Sequence, residues 1–179
     1  MAMEGPVRAE SQAGQVWRYS FPNVNNYEGW AIIFLDSAGC FAALSDYGDW
    51  SYRWSVRGFA EGEDIRKFLL TCDDDYLLRK LGQGRKEYDP EGTLESAKSA
   101  IIEARRDDRW TKDEARDEWD SLKTYDELRN EFDFGMWYSN TKVADAGECH
   151  QQRYPNQLKA FIELEMPRLR EVLRQELKL

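Results

Sequence analysis

A chain of 179 residues is within the size of one domain and long enough to bury a substantial core. Seven Trp, nine Tyr and eight Phe supply large apolar side chains beneath a surface rich in charge, which excludes a disordered chain. A net charge of −9 removes the broad basic footprint of an ordinary duplex-binding protein. The 25 basic residues interspersed among 34 acidic ones also fall short of imitating DNA, with its one charge per about 1.7 Å of axis.

Residues 1–14 mix Gly, Pro, Ser, Ala and charges without periodicity and read as a flexible leader, followed by a single α+β domain over 15–179. Its N-terminal antiparallel sheet of about four strands is expected over 15–57, and its helical part over 62–179. Trp17, Tyr19 and Phe21 alternate with polar residues, predicting the first strand. The run from Glu28 to Leu35 is nearly all apolar, which predicts a central strand buried on both faces. Asp36-Ser37-Ala38-Gly39 is a turn before a third strand from Cys40 to Leu44, and Asp46-Tyr47-Gly48-Asp49 is the next. Trp50, Tyr52, Trp54 and Val56 then alternate strictly with Asp49, Ser51, Arg53 and Ser55, giving a strand with one aromatic face.

Helical spacing begins after Gly58. Ile65, Phe68, Leu69, Cys72 and Tyr76 form one apolar stripe, and Asp73 or Asp74 is placed to cap a second short helix ending at Gly82. The polar stretch from Gly82 to Gly92 is the candidate internal hinge. Thr93 is the expected cap of a helix carrying Leu94, Ala97, Ile101 and Ala104. Thr111–Glu114 and Thr124–Glu127 both have capping-box sequences, the second starting a helix that presents Tyr125, Leu128 and Phe132. Residues 140–156 look irregular. The last helix starts near Gln157, and Pro167 must kink it or begin a new segment.

Few residues suggest chemistry. Cys40, Cys72 and Cys149 are too widely spaced for a disulfide framework or a zinc site, which favours a reducing interior. No signal peptide or membrane-spanning run is read, so a cytoplasmic protein is expected. Cys149 and His150 are adjacent, and neighbours in sequence seldom orient towards each other as nucleophile and base. Asp73–Asp75 could attract a divalent cation, but consecutive carboxylates suit a helix N-terminus better. Gly82-Gln83-Gly84-Arg85-Lys86 lacks the spacing of a phosphate-binding loop. No cofactor and no metal are expected.

Two surfaces remain. Residues 103–133 contain twelve acidic and seven basic side chains, suited to contact with a basic protein. The residues expected to carry that contact are Asp107, Asp108, Asp113, Glu114, Asp117, Glu118 and Asp120. The competing picture is a solvated face with local charge pairs, Asp113 with Arg109 and Arg116 for example. The alternative function is a single-stranded nucleic-acid-binding accessory factor, stacking bases on Trp50 and Trp54 with Arg53 and Arg57 beside them.

The runs WSYRWS at 50–55, FLLTCDDDYLLRKL at 68–81 and ARDEW at 115–119 resemble small accessory proteins of tailed phages and prophages, over roughly residues 28–130. No functional residues carry over from that resemblance. It implies a context in which small proteins bind and inhibit host machinery, defence nucleases included. The expectation is therefore a phage-encoded, non-catalytic protein in the host cytoplasm. It would inhibit a host protein, for which a nucleic-acid-dependent defence complex is the candidate, through the acidic helical surface. No membrane partner is expected, and the oligomeric state is left open.

Overall fold

The computed structural model describes residues 14–23, 28–55 and 64–179. The predicted leader, except Gly14, lies outside the described residues, as do Val56 and Arg57. The chain has the predicted α+β architecture: a four-stranded antiparallel N-terminal sheet, then helices. It divides into two compact units, one formed by the chain up to Gly84 together with Asn156–Leu179, the other by Arg85–Pro155. The boundary falls inside the polar stretch 82–92, and the predicted helical part contributes to both units.

In the first unit, β1 (Val16–Phe21), β2 (Ala31–Asp36), β3 (Cys40–Ser45) and β4 (Trp50–Arg53) pair in sequence order. Gly39 and Gly48 take the positive φ values, 87° and 98°, that the two tight turns require. Pairing Ile33 with Tyr19 and Ala43, and Phe41 with Tyr52, sets these side chains on one face. That face is covered by α1 (Ile65–Thr71) and α2 (Asp74–Gly82), with α6 (Asn156–Ala160) packed against α2 and α7 (Met166–Leu177) against α1.

The expectation that β2 is buried on both sides is corrected. Ala31, Ile33 and Leu35 are fully buried, but Ile32 and Phe34 on the opposite side are only half-buried. The helices of this unit lie on one face of the sheet, so continuous apolarity here does not mean two covered faces. The C-terminal segment supplies part of that cover: Phe161 packs edge-on against Phe41 at 6.3 Å. Pro167 is accommodated because residues Phe161–Glu165 form a π-helical segment leading into α7. Arg170 on α7 donates to the carbonyls of Leu69 and Cys72 and pairs with Asp74, closing the α1–α2 corner.

The second unit contains α3 (Pro90–Arg106), α4 (Lys112–Thr124) and α5 (Glu131–Asn140), with a short ladder between β5 (Glu87–Tyr88) and β6 (Gln152–Arg153). Its core includes Ala97, Ile101, Leu122, Leu128, Phe134 and Trp137. Two predicted helix starts are corrected. Asp89 caps α3 by accepting the Gly92 N–H, with Pro90 in the first turn. Thr93 is buried inside the helix, where its hydroxyl accepts the Gln151 N–H. The box at Thr111 is real, with both reciprocal bonds present, but the sequence Thr124–Glu127 starts no α-helix. Asp126, Glu127 and Leu128 instead form a left-handed turn that buries Leu128, and Asn130 caps α5. Phe132 consequently points to solvent, 75% exposed.

Candidate functional site

Helix α4 sorts its charges by position. At 100° per residue, Asp113, Asp117 and Asp120 fall on one stripe, Lys112, Arg116 and Lys123 on the next, and Ala115, Glu118 and Leu122 on the face towards the core. The three aspartates are exposed, about opposite the buried face. Among the described residues neither Asp113 nor Asp117 has an ion-pair partner within 4 Å, so the anticipated pairing of Asp113 with Arg109 and Arg116 is absent. Asp120 pairs with Lys123 at 3.0 Å. Asp107 and Asp108, in the turn between α3 and α4, pair with Arg109 and Arg105. Glu114 closes the capping box with Thr111, whose N–H and hydroxyl hold its carboxyl below the ordinary carboxylate range.

Glu118 is not part of that surface. It is 7% exposed, and its carboxylate accepts the Thr141 hydroxyl at 2.8 Å and the Lys142 N–H at 3.2 Å. Its position three residues after Ala115 and four before Leu122 places it on α4's inward side, so it secures the segment after α5. The acidity of 103–133 thus resolves into one outward stripe, several locally neutralised carboxylates and one buried staple.

The aromatic strand face is core, which removes the stacking platform from the surface. Trp50 and Trp54 are 9% and 6% exposed, and their indole N–H groups donate to the Tyr47 carbonyl and the Tyr76 hydroxyl. Phe41, Tyr52 and Phe68 pack against Trp54 at 4.9–6.3 Å. Arg53 is exposed at the edge of the sheet, while Arg57 lies outside the described residues. Neither indole ring is open to a stacking base.

The other chemical candidates have structural partners. Asp73 caps α2 through the Tyr76 N–H at 2.6 Å, and Asp74 pairs with Arg170. Gln83, left-handed at φ 49°, ends α2, and its amide donates to the Ser51 carbonyl. His150 rests against the rings of Tyr88 and Phe134, with Nε2 3.5 Å from Glu131. Cys149 instead turns into a cavity of about 390 Å³ beside Ser96, Glu103, Trp110, Lys142 and Glu148. Burial pushes its thiol up, with Ser96 partly opposing, so the cavity contains no activated nucleophile from this side chain. Among the described residues, no three His, Cys, Asp or Glu side chains gather to hold a metal ion. No helix among them is long and apolar enough to cross a membrane.

Across residues 11–175 the chain matches the phage family designated phiTE_072, and it belongs to that family. No curated protein and no solved structure matches it.

Proposed function

We propose that this phage-family protein is a non-catalytic inhibitor that binds a basic surface of a host protein through the outward stripe of α4. Asp113 and Asp117 make the primary contact, and Asp120 extends it by exchanging Lys123 for the partner. The observation carrying this reading is that Asp113 and Asp117 are exposed carboxylates, one helical turn apart, without ion pairs within 4 Å among the described residues. Side chains that form no internal pairs keep their charge available for steering and holding an oppositely charged partner. The phage family supports a host target, and a nucleic-acid-dependent defence complex in the host cytoplasm is the class we favour.

Affinity capture from bacterial lysate, with and without nuclease treatment, tests the proposal when the wild type is compared with the Asp113→Asn/Asp117→Asn variant. The expected result is a stoichiometric, salt-sensitive partner that survives nuclease and is lost by the variant. It should also lose activity on addition of the wild-type protein. Equal retention by both proteins would overturn the assignment to α4.

A further inference from the structure

On its other flank α4 presents the opposite charge. Between α3 and α4 runs an open groove of about 500 Å³. Its floor is apolar, formed by Ile101, Ile102, Ala115 and Trp119. Its rim carries five cationic side chains, Arg105, Arg106, Lys112, Arg116 and Lys123, and a single carboxylate, Asp120. Arg105 and Lys123 have surface partners in Asp108 and Asp120. Arg106, Lys112 and Arg116 have no carboxylate within 4 Å among the described residues. Lys98 adds a further cation, its ammonium 5.6 Å above the Trp119 ring. In a chain of net charge −9, this concentration of positive charge over an apolar floor is a local reversal.

We propose that the groove binds an acidic, amphipathic segment of a partner protein, whose carboxylates meet the rim while a large apolar side chain enters over Ile102 and Trp119. Charge complementarity sets the sign of the occupant, and the floor sets its second requirement. Isoleucines and an alanine favour an aliphatic or aromatic side chain, and Ile102 is already 40% exposed without one. A polynucleotide fits less well. Its charge continues beyond the groove, past the Asp113–Asp117 stripe on the same helix, whereas a short segment confines its carboxylates to the rim within a Debye length of about 8–10 Å. The 13 residues of α4 span about 20 Å, enough to lie along three to four turns of a bound helix. This site uses none of the side chains assigned to the proposed host contact except Asp120, so either assignment can fail alone.

A display library of random 15-residue peptides, selected on the full-length protein and counter-selected on the Arg106→Glu/Arg116→Glu variant, tests the proposal. Both substitutions are at exposed positions, and circular dichroism verifies that the variant is folded. Enriched peptides should carry Asp or Glu around Leu, Phe or Trp. Their affinity should fall at least about tenfold in the variant and remain unchanged in Asp113→Asn/Asp117→Asn. Binding should shift the tryptophan emission, and Trp119→Phe should remove that shift. Selection without enrichment, or enriched peptides that lack carboxylates or ignore the charge reversals, would overturn the proposal. So would a 20-residue oligothymidine that binds more tightly than any selected peptide and is released by the same reversals.

Discussion

Replacing Glu118 separates a structural carboxylate from its exposed neighbours. Its two oxygens accept from Thr141 and Lys142, and the Thr141 hydroxyl in turn accepts the Val143 N–H at 3.1 Å, so removal disturbs a connected set. Hydrogen bonds to a charged group contribute about 1.5–3 kcal/mol each when shielded from water. Lys142 is exposed and its N–H can regain water, so the second bond counts for less than the first. Glu118→Ala should therefore lose about 2–3 kcal/mol, and Glu118→Gln, which keeps an amide acceptor, about 1 kcal/mol. For a chain of this size that is a drop in Tm of roughly 5–10 °C for the alanine variant. Urea denaturation followed by far-UV circular dichroism gives the free energies, and capture of a partner by Glu118→Gln should equal wild type. A loss below about 0.5 kcal/mol in Glu118→Ala, the range of ordinary surface substitutions, would refute the staple.

Arg170→Met removes the donors closing the α1–α2 corner, at 2.6 and 3.2 Å to carbonyls and 2.9 Å to Asp74, and should cost about 2–3 kcal/mol in the same assay. Burial first, then Asp73, pushes the Cys72 thiol up to about 11 from an ordinary 9.0, so at pH 8 its thiolate is roughly a hundredfold scarcer. Iodoacetamide labelling read by mass spectrometry should be slower at Cys72 in the native protein than in urea by at least that factor. Two carboxylates should give opposite pH slopes. Burial alone would raise Asp64, but the Arg66 guanidinium and backbone N–H groups outweigh it and hold the carboxyl low. Its contribution is complete above the unfolded value and disappears as pH falls through the folded one. Wild type should accordingly lose its advantage over Asp64→Asn in acid. Burial raises Glu165 despite Arg168, so its contribution is complete in acid and lost as pH rises through its folded value. Glu165→Gln should therefore gain on wild type between pH 4 and pH 8. Parallel slopes for the two variants would contradict this assignment.

Local rules made several elements readable in advance. Period-2 alternation located β1 and β4, glycine and aspartate marked the turns between strands, and Asp73 and Thr111 cap helices as their side-chain chemistry suggests. The same rules failed where a distant partner decided the outcome. Thr93 resembles a cap yet serves Gln151 from inside α3, 58 residues away. Thr124 opens a capping-box sequence, but burial of Leu128 bends the backbone left-handed before a helix can start.

The candidate surfaces divide along the same line. Composition alone establishes that residues 103–133 are rich in both charges and that the chain is rich in aromatic side chains, because both properties are sums over residues. Which carboxylates face solvent, and which rings are buried, depends on the neighbours each face meets. The fold buries Trp50, packs Trp54 against α1 and α2 and turns Glu118 towards Thr141, while leaving Asp113 and Asp117 outside. It also sets Arg106 and Arg116, from two helices, along one groove. A helix period can align residues of one helix, but the rotation of α4 about its axis against α3 is selected by burying Ile101 and Leu122 together, and that packing decides which charges are presented.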